Sequence, residues 1–112
     1  EINSIDNALE KVLQMRGVFY EWRRDEFEAR NFPAGRSVGM IAQELESIVP
    51  ELVATGGDGY KSISYANLVA VLVEAIKEQQ QQIALQDEKI DMIIKENKAL
   101  RKDVEEIKRL LK

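Results

Sequence analysis

Apolar residues fall on two different rhythms along this chain, and the change of rhythm divides it. Near the start, Ile2, Ile5, Leu9, Val12 and Leu13 recur at three- and four-residue spacing, with Asn3 or Ser4 placed as a cap and Gly17 beyond the last apolar position. This predicts a helix from about Ser4 to Met15. Val18, Tyr20 and Trp22 then alternate with Phe19, Glu21 and Arg23, the period of a half-buried strand. The polar stretch Arg24 to Arg36, with Pro33 and Gly35, reads as a loop. From Met40 to Val49 the apolar positions 41, 45, 48 and 49 share one helical face, and Pro50 ends the segment because the residue before proline is pushed out of the α region. Leu52-Val53-Ala54 and Tyr60-Lys61-Ser62-Ile63 flank Thr55-Gly56-Gly57-Asp58-Gly59, which predicts a hairpin. The helix of 40–49 is expected to pack beneath that hairpin, with Trp22 and Tyr65 in the core.

All six glycines and both prolines lie at or before Gly59. From Ser64 or Tyr65 to near Lys112 the pattern predicts one helix, about 70 Å long at 1.5 Å per residue, which a 65-residue head is too small to bury. In heptad positions, a holds Ile76, Ile83, Ile90, Asn97, Val104 and Leu111, and d holds Leu72, Gln79, Gln86, Ile93, Leu100 and Ile107, so nine of twelve seam positions are apolar. A strict seven-residue repeat imposes a left-handed coiled coil between chains. Parallel pairing places Glu96 opposite the neighbour's Arg101 and Asp103 opposite its Lys108; such exposed pairs add little stability and speak to register and direction. Asn97 reads as a register device. For Gln79 and Gln86 a loosely packed stretch within the Gln79 to Gln82 run is an equal alternative.

Isoleucine at both a and d shifts preference toward trimers or tetramers, a single Asn at a is common in dimers, and Ile94 at e with Leu110 at g widens the stripe toward more than two helices. The seam alone leaves other oligomers open; a parallel trimer is the reading taken. The expected fold class is therefore α+β: a head over 1–65 with two short helices, a strand and a β-hairpin, and a long C-terminal helix over 66–112 in a parallel trimeric coiled coil.

Charge and chemistry mostly exclude. Twenty acidic against sixteen basic residues give a net charge of -4, all of it in residues 1–65, while 66–112 carry nine of each sign. That balance opposes binding to nucleic acid or to an anionic membrane surface. Runs such as Leu68 to Val73 are far shorter than the roughly 20 residues of a membrane span, and no signal-peptide pattern opens the chain. With no cysteine and no histidine, disulfides, thiol catalysis, a Ser-His-Asp triad and ordinary zinc or haem sites are excluded; only carboxylates remain for a metal, and no metal or cofactor is expected. The absence of cysteine leaves the redox compartment unconstrained. Gly56-Gly57-Asp58-Gly59 lacks the Lys-Ser/Thr of a phosphate loop and reads as a turn. Glu44 and Glu46 lie two apart on a helix, do not share a face, and read as solvated charges. Ser62 and Ser64 beside Lys61 are a weak nucleophile signal, and a cap role for Ser64 explains it. Tyr20, Trp22, Tyr60 and Tyr65 could stack a ligand, but aromatics at strand spacing in so small a domain are more often core. Arg23-Arg24, with Asp25 and Glu26 beside them, make no basic patch.

The wording of the head carries more. Met15-Arg16-Gly17-Val18-Phe19-Tyr20-Glu21-Trp22 is followed by Gly39-Met40-Ile41-Ala42-Gln43-Glu44-Leu45-Glu46, which runs on to Val49-Pro50-Glu51-Leu52-Val53. Next comes Asp58-Gly59-Tyr60-Lys61-Ser62-Ile63-Ser64-Tyr65, leading into Leu68 to Lys77. In this order, over about residues 2 to 78, the chain closely resembles the endosialidase-type intramolecular chaperone domain, the self-cleaving C-terminal module of phage tailspikes and tail fibres. Tyr20, Trp22, Gly39, Gln43, Glu44, Pro50, Gly59, Tyr60 and Tyr65 carry the resemblance; the coiled coil shares only its type. The resemblance implies a homotrimeric module that registers an upstream fibre chain in cis, in the host cytoplasm during virion assembly, and then cuts itself off. In the family the cut lies before a serine in an S-D-x-R-x-K element whose lysine activates that serine. Ile2 looks like the apolar position just after that element, which places the dyad just before Glu1 and no catalytic residue in this chain, so the fragment itself is expected to be inactive. Ser4 does not replace the nucleophile, since no Asp-x-Arg-x-Lys follows it. Two other readings compete: the self-processing trimerisation region of membrane-tethered transcription factors resembling myelin regulatory factor, and a non-catalytic coiled-coil oligomerisation module.

Overall fold

The computed structural model describes residues 1–22 and 34–111. In chain order it contains α1 (Ala8–Gln14), β1 (Val18–Glu21), β2 (Arg36–Gly39), α2 (Ala42–Ile48), a 3-10 turn (Pro50–Leu52), β3 (Val53–Thr55), β4 (Lys61–Ile63) and α3 (Tyr65–Leu110). The α+β class with a long C-terminal helix is as the periodicity predicts. The expected loop residues 24–33, with Arg23-Arg24, Asp25, Glu26 and Pro33, lie outside the described residues.

The first helix begins four residues later than its apolar spacing suggests. Asn7 takes a left-handed conformation, φ 56°, and its carbonyl accepts the Lys11 N–H at 3.1 Å. Asn tolerates this region because its short polar side chain costs little there. The chain before it is therefore not helical, Ile2 is 99% exposed, and Ile5 reaches the core from a non-helical segment. At the other end the helix leaves through extended Met15, and Gly17 does not adopt the left-handed conformation of a C-terminal cap.

β1 pairs antiparallel with β2, Val18 opposite Gly39 and Tyr20 opposite Ser37. The second strand is not legible in the alternation, yet a lone strand would leave its backbone groups unpaired. β3 and β4 form the second antiparallel pair, Val53 opposite Ile63. Its turn is closed by Gly56 N–H donating to Tyr60 O at 2.8 Å and by Tyr60 N–H donating to Asp58 Oδ1 at 3.0 Å, with Gly59 at φ 84°. Only glycine takes that φ without strain. Ser64 N–H donates to Leu52 O at 2.8 Å, and the Ser64 carbonyl accepts the first bond of α3, from Leu68 at 3.1 Å.

Two compact units result, Glu1–Ile76 and Lys77–Lys112. The first three turns of α3 belong with the head, beyond the expected boundary at 65, because they supply its core. That core is Ala8, Leu45, Val49, Leu52, Leu68, Val71 and Ala75, flanked by Ile5, Leu9, Val12, Met15, Met40, Ile48, Val53 and Ile63. α2 contacts both strands of the β3–β4 hairpin, as its apolar face predicts.

The core is aliphatic throughout, which corrects the expectation for the aromatic residues. Trp22 is 37% exposed and Tyr65 47% exposed, Tyr60 is exposed, and Tyr20 is intermediate. Trp22 and Tyr20 instead pack edge to face on each other, centroids 5.1 Å apart at 84°.

Candidate functional site

The motif residues fall into three local arrangements. At the end of β2, the Tyr65 hydroxyl accepts the Met40 N–H at 3.1 Å. A Cβ on Gly39 would stand 2.5 Å from that hydroxyl and 3.2 Å from the Tyr20 ring, so Gly39 is needed here for close approach. Three motif positions, Tyr20, Gly39 and Tyr65, are thereby brought together from β1, β2 and α3. Gly39→Ala is expected to push Tyr65 off Met40 and lower head stability by about 1–3 kcal/mol, the usual range for overpacking. A denaturant midpoint followed by Trp22 fluorescence checks this; an unchanged midpoint would contradict it.

The second arrangement joins Arg16, in the first motif segment, to Glu44, in the second. Arg16 Nε donates to Glu44 Oε1 at 3.1 Å and Nη2 donates to Oε2, a bidentate pair. Glu46, two residues on, faces elsewhere: its carboxylate takes the Lys61 ammonium at 3.0 Å, and Lys61 also donates to Thr55 Oγ1 at 3.1 Å. The two glutamates thus do not share a face, as their spacing requires, but they are not merely solvated. Each ties α2 to a different neighbour, β4 in one case and the segment entering β1 in the other. Lys61 is also engaged away from Ser62 and Ser64, so no serine–lysine pair is assembled there.

Hydrogen bonding from Arg16, with its positive charge adding to it, holds the Glu44 carboxyl below its ordinary value despite some opposing desolvation. The same contact raises Arg16. For a depressed carboxylate, the stabilisation is present above the unfolded value and is lost as pH falls through the folded one. Glu44→Gln is expected to flatten the stability profile of the head between those two values, by a small amount because both side chains are about half exposed. Thermal midpoints of both forms from pH 6 downward, about one unit at a time, check it; identical slopes would contradict it.

Third, Pro50 opens the 3-10 turn, and Gly59 and Tyr60 stand at the β3–β4 turn. Gln43 lies exposed on α2. The motif is thus distributed over the head and does not converge on one pocket. Among the described residues no three carboxylates converge on a metal-sized site. No described helix is long and apolar enough to cross a membrane.

The seam residues lie along one side of α3. Leu72, Ile76, Ile83, Ile90, Ile93, Leu100, Val104, Ile107 and Leu111 are all exposed in the single chain, Ile76 to 64%, as are Ile94 and Leu110. Asn97 is exposed as well. Where α3 runs through the head, Leu68, Val71 and Ala75 are buried, while Val69, one heptad before Ile76, and Leu72 and Ile76 remain open. Within Glu1–Ile76 the head therefore covers the Leu68, Val71 and Ala75 face of α3 and leaves Val69, Leu72 and Ile76 open. Within the chain Lys108 approaches Glu105 at 3.9 Å, a loose pair on one helix face.

Short helices and two hairpins make up the head within Glu1–Ile76, and α3 carries an apolar seam interrupted at Gln79, Gln86 and Asn97. Residues 1–54 match the family model described as chaperone of endosialidase, the family that the motif wording resembles. The long tail fiber protein Gp37 of Escherichia phage AR1 is 31% identical over 80 residues, which is 70% of this chain and 7% of that protein. The chain thus spans less than a tenth of that relative's length.

Proposed function

We propose that this chain is the trimerising, releasable intramolecular chaperone of a phage fibre or tailspike. The family match and the tail-fibre relative support the coarser statement, a phage fibre chaperone working in virion assembly. The observation that carries the finer one is the uncovered seam of α3, from Leu72 to Leu111, alongside a head that has its own aliphatic core. A helix with so long an apolar stripe is expected to find copies of itself.

The useful work is registration. A trimeric β fold closes distant contacts before they are rewarded, so it forms slowly and exposes strand edges meanwhile. A helical trimer needs only local contacts. Once formed, it makes the meeting of the three fibre chains intramolecular, at an effective concentration set by their tether. Release follows from a cut upstream of Glu1, where the family resemblance puts a serine activated by a lysine; the residues of this chain bind and register and do not perform the cut.

The test is to express the upstream fibre segment with and without residues 1–112. With them, a soluble trimeric, protease-resistant fibre is expected; without them, aggregated or monomeric chain. Equal yields of folded fibre in both would contradict the proposal.

A further inference from the structure

Within Glu1–Ile76, the α3 residues Tyr65, Val69, Leu72 and Ile76 are apolar or aromatic and all exposed. Their spacing of four, three and four residues puts them in one row along the helix. The row that the head buries is a different one, Leu68, Val71 and Ala75. In the heptad assigned above, Val69 and Ile76 fall at a and Tyr65 and Leu72 at d, so the exposed row carries the seam repeat into the head.

The flanking positions indicate what covers this row. Leu68 and Ala75, at g, are already buried in their own head, whereas Ala66 and Val73, at e, are exposed and uncharged. The open side of the row is thus wholly apolar. A seven-residue a and d repeat is the pattern by which a helix pairs with copies of itself, and an apolar e position widens the stripe toward more than two helices. The occupant is therefore another copy of this head, given the trimeric reading of the preceding section, on which this inference rests.

Tyr65 gives such a contact a consequence. Its hydroxyl accepts the Met40 N–H at 3.1 Å and lies where a Cβ on Gly39 would stand 2.5 Å away, yet about half of the residue is open to solvent. We infer that Tyr65, Val69, Leu72 and Ile76 dock on the same four residues of the other copies, head against head, with the Tyr65 ring shared between that interface and the end of β2. Covering the ring restricts it to the rotamer that holds the Met40 N–H, so assembly tightens the corner between β2 and α2. Heads docked on one another also keep the fibre chains they register at a short, fixed separation, which raises the effective concentration of those chains.

The chain has no cysteine, so one introduced thiol reports alone. Three variants are treated at low micromolar concentration with a short bis-maleimide: Val69→Cys in the head row, Val104→Cys at a far along α3, and Ala70→Cys, exposed at b and outside the row. Val69→Cys and Val104→Cys are expected to give a two-chain band on a denaturing gel, and Ala70→Cys a single-chain band. Val69 lies outside the head core, and Trp22 fluorescence checks that each variant is folded. A link at Val104→Cys without one at Val69→Cys would overturn the inference and leave the parallel assembly standing. Equal linking at Ala70→Cys and Val69→Cys would overturn it too, since the contact would then not follow the row. No link at either seam position, or a sedimentation mass of one chain, would overturn the parallel trimer itself and the inference with it. Exchange of the Met40 amide hydrogen is expected to be about tenfold slower in the parent than in a variant separated by Ile90→Asn and Ile93→Asn, and equal rates would overturn the shared role of Tyr65.

Discussion

Replacing Ile90 and Ile93 together by asparagine is expected to turn a trimer into a monomer at micromolar concentration. The two residues occupy adjacent a and d layers in the middle of the seam and are each about half exposed in the single chain, at 52% and 54%. Burying an isoleucine side chain is worth about 1.5–3 kcal/mol, so six such side chains per trimer amount to about 9–18 kcal/mol, an upper range because unfolded and dissociated chains already bury some surface. Tenfold in an equilibrium constant costs about 1.4 kcal/mol, so even the lower figure shifts association by about a million-fold. The asparagines would also have to be desolvated in the assembly. The head should survive, because its core of Ala8, Leu45, Val49, Leu52, Leu68, Val71 and Ala75 lies wholly within Glu1–Ile76. Trp22 fluorescence should therefore report a folded head in the monomeric variant. A variant that sediments like its parent would mean that the seam does not hold the chains together.

The second large effect concerns the cut. A precursor that continues upstream of Glu1 through its native segment and part of the fibre is expected to be cleaved once, before the serine of the S-D-x-R-x-K element. Residues 1–112 alone should show no peptidase activity. A serine is a poor nucleophile until a base is held within hydrogen-bond reach of it. On the proposed reading, assembly of the three chains is what holds the base there. The precursor carrying Ile90→Asn and Ile93→Asn should then remain uncut while its parent is processed, a difference visible on a denaturing gel. Equal cleavage of both would remove the coupling between assembly and release. Cleavage of neither would favour an oligomerisation module without processing.

Sequence patterns revealed the elements whose signal is local and long. α3 was legible because one period holds over dozens of residues without a glycine or proline, and the β3–β4 hairpin because glycine-rich punctuation separates two β-prone runs. β2 was not, since Arg36-Ser37-Val38-Gly39 is four residues long and its one large apolar side chain, Val38, is 73% exposed. Its existence follows from pairing with β1, a non-local fact. The start of α1 was misplaced because a single left-handed Asn7 interrupts an apolar spacing that otherwise continues to Ile5.

The motif site follows the same division. Spacing alone separated Glu44 from Glu46, but their partners Arg16 and Lys61 lie 28 and 15 residues away, and no periodicity links them. Usual burial places the aromatic residues in the core, which fails for Trp22 and Tyr65: the described core is built from Ala, Leu, Ile, Val and Met side chains, and Trp22 packs edge to face on Tyr20 instead. The requirement for glycine at 39 could not be read from a turn signal either; it arises from the Tyr65 hydroxyl and the Tyr20 ring approaching from other elements.

On the proposed reading, trimerisation is the step on which registration and release both depend, and one measurement reaches it directly. Sedimentation equilibrium of the 112-residue chain, over micromolar concentrations spanning about tenfold, gives the assembled mass without a shape assumption. The expected result is a single species of three times the 12.8 kDa of one chain, unchanged across the range. A mass of one chain throughout, or a stable mass of two, would contradict it.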